Sequence, residues 1–226
     1  MSNVASSFTL TRLSFMEREL KNILEVLTLA ERLKSELRHS WLSDGRQESV
    51  AEHTWRMALM AVLLEPYLDE EVDTAHLLKM ILIHDLVEIE AGDMPAFTVL
   101  TEEAKALKHQ KELQAIENLR EKLGVGIGQH IYELWQEFEA RETYEAKVAN
   151  ALDKLEVRLQ HNHADIKTWL EVEQENVFKM GDHTAFDSCL DQLKDLIQEQ
   201  GVQKMENAGI STTKVLARIA SQNALA

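Results

Sequence analysis

A histidine, an aspartate and a glutamate crowd one short stretch, Ile83-His84-Asp85-Leu86-Val87-Glu88. It continues an apolar run, Met80 to Ile83, and such side chains are seldom buried unless paired or bound to a metal. Glu88 falls one helical turn beyond His84, so the spacing predicts that both project from one helix face. Gly92-Asp93-Met94-Pro95 should then stop the helix and turn the chain back. Three ionisable groups at the end of a buried helix, facing a loop, suit a metal ion working with a general acid or base.

Two more polar residues stand where a helix should face the core. His53 lies in the first turn of a helix beside Glu52, and Asp153 interrupts an apolar stripe of Ala149, Leu152 and Leu155. With His84 and Asp85 they give two imidazoles and two carboxylates, a mixed nitrogen and oxygen set for a divalent transition metal such as Mn, Fe, Co, Ni or Zn. Four protein ligands leave positions on an octahedral ion for water and a phosphate oxygen. Such an ion lowers the pKa of its water and polarises a phosphoryl group. Glu88 is placed to accept a proton from that water or to orient it.

Plainer readings exist for each residue alone: a satisfied helical His, an Asp85 paired with Arg at a helix end, an Asp153 bridged to Arg56 or Lys154. Their joint occurrence in this order favours the metal. His39, His76, His109, His130, His161, His163 and His183 lack such a setting and read as surface or structural, while Trp135 and Phe138 read as core.

The elements that must position these residues are helical. Ser14-Phe15-Met16-Glu17 reads as a capping box that opens a helix to about Leu33, after a flexible N-terminus over residues 1–13. Leu37 to Gln47 reads as a loop. Ser49-Val50-Ala51-Glu52 is a second capping box; its helix carries His53 and ends at Pro66. Asp73 caps the helix that runs into His84. Thr101 caps a long helix that ends at Gly124, Ile127 to Phe138 forms another, and Thr143 caps the helix carrying Asp153. Gly181 and Gly201 bracket a further helix, and a last one starts near Ser211.

The sum is an all-α chain, a bundle of about eight helices with no sheet. Residues 14–200 make one domain. After the weaker Gly201–Gly209 stretch, residues 201–226 form a helical tail packed on the domain or on a partner subunit. Composition agrees: 45% of the 226 residues are hydrophobic, and only 8 are Gly and 2 Pro.

The net charge of −15 argues against a nucleic acid polymer or an anionic membrane as partner, since both need clustered Lys and Arg. It leaves room for a small phosphate ester, because one Arg and one metal can dominate a local site. No apolar run is long enough to span a membrane. A single cysteine, Cys189, excludes an internal disulfide and fits a reducing, cytoplasmic setting. No His-Glu-x-x-His, Gly-rich phosphate loop or Gly-x-Ser-x-Gly elbow is present.

The order His53, His84-Asp85, Asp153 resembles the HD-domain metal-dependent phosphohydrolase superfamily. Glu48-Ser49-Val50-Ala51-Glu52-His53 looks like its first-histidine motif. The run His84 to Glu88 with Gly92-Asp93-Met94-Pro95 looks like the 5′-deoxynucleotidase branch. Leu33-Lys34 with Arg38 and Trp41 resembles that branch's Leu-Lys…Arg-x-Gly-Trp loop, with Ser40 in place of the Gly. Tyr132 to Glu139, Glu145-Ala146-Lys147 and Leu152-Asp153-Lys154-Leu155-Glu156 are similar to its later motifs. The resemblance covers roughly residues 18 to 165.

It implies an HD-domain helical bundle, often a homodimer, that hydrolyses deoxyribonucleoside 5′-monophosphates to deoxynucleoside and phosphate. By the same resemblance His53, His84, Asp85 and Asp153 hold the metal, which could equally be Mg. Glu88 is the acid/base residue, Arg38 orients the phosphate beside Trp41, and Asp93 contacts the sugar hydroxyl. In some members the counterparts of Glu88 and Asp93, with the backbone at Met94, help hold a second cation. Ala96 stands where some members carry a hydroxyl. Alternatives are another phosphohydrolase of the superfamily, acting on a dNTP, guanosine tetraphosphate or a cyclic dinucleotide, and a non-catalytic helical interaction module. Arg38 as the one cation in its stretch favours a monophosphate, and no Gly-Tyr-Pro motif supports a cyclic dinucleotide. The intact ligand set argues against the module.

Overall fold

Side-chain caps decide where the helices around the site begin. Ser49 and Glu52 form a reciprocal capping box that opens α2, Val50–Leu64. Asp73 accepts from the His76 amide at the start of α3, Thr74–His84. Thr101 does the same for α5, Glu102–Leu123, and Thr143 for α7, Tyr144–His163. Each cap satisfies an amide that the first helical turn leaves without a partner. Between them lie α4, Glu88–Ala91, and α6, Ile127–Ala140; α1, Ser2–Ala30, precedes the set.

The computed structural model describes residues 2–95, 98, 99 and 101–223. Among these residues it has eleven α-helices rather than about eight; α8 to α11 span Glu171–Asn176, Gly181–Thr184, Ser188–Asn207 and Thr212–Asn223. Several of the additional helices are single turns, too short for hydrophobic periodicity to register. Ala96 lies outside the described residues.

Four expectations change. The helix expected from Ser14 begins at Ser2, since neither Pro nor Gly interrupts residues 2–30. The expected loop from Leu37 to Gln47 is an antiparallel hairpin, β1 (Leu37–Trp41) and β2 (Gln47–Ser49), turning through Asp44 and Gly45 at φ 89°. Its strands are too short and too polar to show a period of two. The third change is at Gly201, which is buried inside α10 with Val177 and Asn162 against it, while Gly209 at φ 74° follows the helix end. A glycine used for close packing looks the same in sequence as one used to stop a helix. Residue 200 is therefore no boundary: α10 passes through it. Lastly, Gly181 opens the one-turn α9, and α10 starts only at the Asp187 cap.

Two apolar clusters flank the site. One joins α2, α3, α6, α7 and α10 around Met57, Leu77, Met80, Ile81, Leu152 and Leu155. The other joins α1, α4 and α5 around Val26, Ile89, Ile116 and Leu119, with Trp135 of α6. Trp135 and Phe138 are core, as expected. A third cluster, with Trp169, Val177, Met205 and Val215, seats α11, whose Arg218 also pairs with Glu175 of α8 at 2.5 Å. No described helix is long and apolar enough to cross a membrane.

Gly128 lets the start of α6 lie against the end of α5: a Cβ there would run into the Arg120 carbonyl. Gly128→Ala should therefore destabilise the fold by about 1–3 kcal/mol through overpacking. Leu77→Ala, at a fully buried position, should cost about 2–5 kcal/mol. Urea unfolding followed by circular dichroism checks both, with the exposed Leu82→Ala as a control expected within about 0.5 kcal/mol of the parent.

Candidate metal centre

Helix α3 ends at His84, and that termination builds the site. Asp85 is its C-cap, the amides of Leu86 and Glu88 bond back to Ile83 and Asp85 at 3.0 Å each, and α4 starts at Glu88. The expectation that His84 and Glu88 share one continuous helix face is corrected: a tight turn separates them. Asp85 and Glu88 both line one cavity, and His84 Nε2 lies 3.2 Å from Asp85 behind it. Gly92 at φ 73° then reverses the chain, with the Glu36 carboxylate accepting from the Asp93 amide at 3.1 Å.

The two imidazoles are oriented from behind. His84 Nδ1 donates to the Ile81 carbonyl at 2.6 Å. A carbonyl can only accept, so the Nε2 of neutral His84 carries the free lone pair. His53 Nδ1 donates to Glu156, which is fully buried and also accepts from Arg56 Nε at 2.6 Å. Both Nε2 atoms are buried and have no hydrogen-bond partner.

The carboxylates close around them. His53 Nε2 is 3.2 Å from Asp153 and 3.8 Å from Asp85, and His84 Nε2 is 3.2 Å from Asp85. His53, His84 and Asp153 each present a ligand atom within 4.8 Å of the others. Two buried Nε2 atoms facing two carboxylates, each imidazole held from its far nitrogen, are what a divalent cation with N and O ligands requires, since it would displace the His53 proton. The four expected ligands are thus brought together, and the donor set fits the ion.

Beyond them Arg38 of β1 reaches Asp85 at 3.1 Å and Asp93 at 3.9 Å. Burial works against its charge, but Asp85 and Asp93 outweigh that and hold its pKa above the ordinary value. Burial likewise opposes ionisation of Asp85 and Asp153, yet both are held below the usual carboxylate range: Asp85 by His84 and Arg38, Asp153 by Lys154 and His53. Glu88 is pushed up to about 10, first by burial and then by Asp85 and Asp93, and its Oε2 is buried without a partner. Burial also raises Asp93. For His53, burial and Arg38 oppose protonation, but Glu156 and Asp153 prevail and lift it to about 9.

These groups open onto a cavity of about 810 Å³ lined by Arg38, Asp85, Glu88, Asp93, Met94 and Asp153, among others. Trp41 does not line it. Its carbonyl accepts from Gln160 Nε2 and its ring stands edge-on to His39 at 4.7 Å, so it buttresses the hairpin instead. Arg38 is the one cation of its stretch, but the cavity draws others from elsewhere, so charge favours a monophosphate less strongly than that stretch alone implies. Lys105, Lys108, Arg141, Lys154, Arg158 and Lys179 line the same cavity. They come from four separate places in the chain, so no local stretch reveals them.

Several functional-looking residues escaped the sequence reading. Glu156 and Arg56 sit behind His53, and the signal was present: Glu156 falls three residues after Asp153 on the same apolar helix. His161 is buried and lines the cavity, and His39, 3.2 Å from Glu173, and His183 line it too. His76 pairs with Glu137 at 2.8 Å, away from the site.

Residues 30–194 match the HD domain family. The 5′-deoxynucleotidase HDDC2 of Xenopus laevis is 36% identical over 143 residues, which is 62% of this chain and 68% of that protein. Its Homo sapiens counterpart is 33% identical over 143 residues, 62% of this chain and 67% of that protein. A crystal structure described as a predicted metal-dependent phosphohydrolase from Magnetospirillum magnetotacticum MS-1 superposes with a TM-score of 0.71 at 32% identity, over 83% of this chain and 97% of that one. The extent of these matches, together with the ordered His53, His84-Asp85 and Asp153 set, establishes that the chain belongs to the HD-domain family, in its 5′-deoxynucleotidase branch.

Proposed function

We propose that the chain hydrolyses deoxyribonucleoside 5′-monophosphates to deoxynucleoside and phosphate, using a divalent cation held by His53, His84, Asp85 and Asp153. One observation carries the reading: two buried imidazole Nε2 atoms without partners converge with two carboxylates directly under Arg38. The names of the related 5′-deoxynucleotidases supply the substrate class.

When bound, the cation supplies Lewis-acid polarisation of the phosphoryl oxygens and makes water more acidic. Mn, Co, Fe, Ni, Zn and Mg all suit the donor set to some degree, and availability decides among them. The protein's own residues do the rest. Arg38, anchored by Asp85 and Asp93, binds and orients the phosphate. Glu88 lines the cavity and is raised to about 10 by burial beside Asp85 and Asp93; the positive charge of a bound cation would return it to the carboxylate, the form in which it takes the proton of the attacking water. A P–O bond to the water oxygen forms as the P–O5′ bond breaks, and O5′ leaves as the deoxynucleoside hydroxyl, receiving the proton that Glu88 took from the water. Asp93 lies beside Arg38 where it can accept from the sugar 3′-hydroxyl. The pair Glu88 and Asp93, with the Met94 backbone, would also serve a second cation.

The remaining part of the reading is a cytoplasmic homodimer without a nucleic acid polymer as partner. An exposed stripe on α2, Trp55, Leu59, Val62 and Leu63, supports a self-association surface.

Phosphate release from dAMP, AMP and dGTP, with Mn, Co, Mg or chelator, tests the activity. Release from dAMP that chelator abolishes is expected; equal use of AMP or release from dGTP would place the chain outside the deoxynucleotidases, and no turnover with any metal would sink the reading. Glu88→Gln should retain the metal while turnover drops by roughly 10²–10⁴-fold, whereas Asp153→Asn should lose both. Metal content by mass spectrometry beside kcat separates the two roles. A Glu88→Gln enzyme of near-parental rate would remove Glu88 from the mechanism.

A further inference from the structure

Beyond Asp153, the cavity wall is built from groups that the phosphate chemistry does not use. Asp153, Val157 and His161 recur every four residues of α7, so they form one stripe along the cavity wall. His161 lies eight residues beyond Asp153, about 12 Å along the axis at the α-helical rise. Arg158 sits between them, and Glu173 and Asn176 of α8 face them across the same cavity.

This end has hydrogen-bonding capacity without internal use for it. Arg158 has one weak contact, Nη1 donating to the Glu173 carbonyl at 3.5 Å. Burial is not offset there, and its pKa falls to about 10. His161 is 3% exposed and its Nδ1 has no partner. Burial and the neighbouring Arg158 depress its pKa to about 3, so it is a neutral imidazole able to donate and accept. Buried polar groups are almost always satisfied, so the unpartnered Nδ1 of buried His161, beside a half-buried Arg158 held by one long contact, calls for a ligand at this cavity wall.

We infer that Arg158 and His161, with Asn176, form a subsite for the nucleobase of the substrate. This rests on the deoxynucleotidase reading and deepens it. With the phosphate at Arg38 and the metal ligands, the sugar passes Val157 and the base edge arrives at the Arg158–His161 end. A guanidinium and an amide are the groups that read purine edges, Arg toward the O6 and N7 acceptors of guanine and Asn toward N6 and N7 of adenine. The subsite therefore favours a purine over a pyrimidine, and a nucleotide over the phosphate ester of the bare sugar.

The experiment compares kcat/KM for dGMP, dAMP, dCMP and 2-deoxyribose 5-phosphate in the unaltered enzyme, in Arg158→Met and in His161→Leu. The unaltered enzyme should prefer the purine nucleotides to the sugar phosphate by at least tenfold. Arg158→Met should collapse that ratio about tenfold, His161→Leu should reduce it, and Arg158→Lys should restore part of it. Because the quantity read is a ratio within one preparation, partial misfolding does not mimic the result. Hydrolysis of dGMP without preference over the sugar phosphate in the unaltered enzyme would overturn the subsite and leave the phosphohydrolase reading standing. So would a preference that survives both Arg158→Met and His161→Leu. Failure to release phosphate from any nucleotide would overturn both.

Discussion

Everything in the centre depends on which nitrogen of each imidazole is committed. His84 gives its Nδ1 proton to the Ile81 carbonyl and His53 gives its own to Glu156, so both Nε2 atoms turn toward Asp85 and Asp153. A hydrogen bond on the far side of a ring fixes both tautomer and azimuth. Glu156 can do this in a dry interior because Arg56 neutralises it. The metal site is thus a surface effect of a buried ion pair one layer deeper, and that layer ties α2 to α7.

The second determinant is where α3 stops. A continued helix would carry Asp85 round its axis, away from His84. By breaking at Asp85 and restarting at Glu88, the chain aims three consecutive acidic or imidazole groups at one volume. The cost is the concentration of negative charge, which Arg38 and the surrounding lysines offset. A chain of net charge −15 therefore holds a cavity lined by seven Lys and Arg side chains, which draw an anionic substrate to it.

Much of this was legible beforehand. Caps at Ser49, Asp73, Thr101 and Thr143 gave helix starts to the residue, since a cap is a local hydrogen bond and needs no tertiary context. The four candidate ligands were visible as polar residues out of place on apolar faces. What depended on distant packing was not visible: the hairpin, whose strands are held by the α2 and α7 elements beneath them; the role of Gly201, decided by Val177 and Asn162 against it; and Trp41, whose neighbours on α7 draw it out of the cavity wall. That His161 is buried and lines the cavity depends on packing by segments beyond residue 165.

Strand β2 passes into α2 without an intervening residue, Ser49 being both the end of one and the cap of the other. The hairpin that carries Arg38 and the helix that carries His53 therefore share a rigid joint. One residue inserted between Gln47 and His53 would rotate the imidazole about 100° around the α2 axis and advance it about 1.5 Å, enough to remove it from the cluster. The turn at residues 42–46 has no such constraint. Length variation among chains of this architecture should thus be tolerated at the hairpin tip and forbidden at its base, a pattern set by helical phase rather than by any contact with substrate.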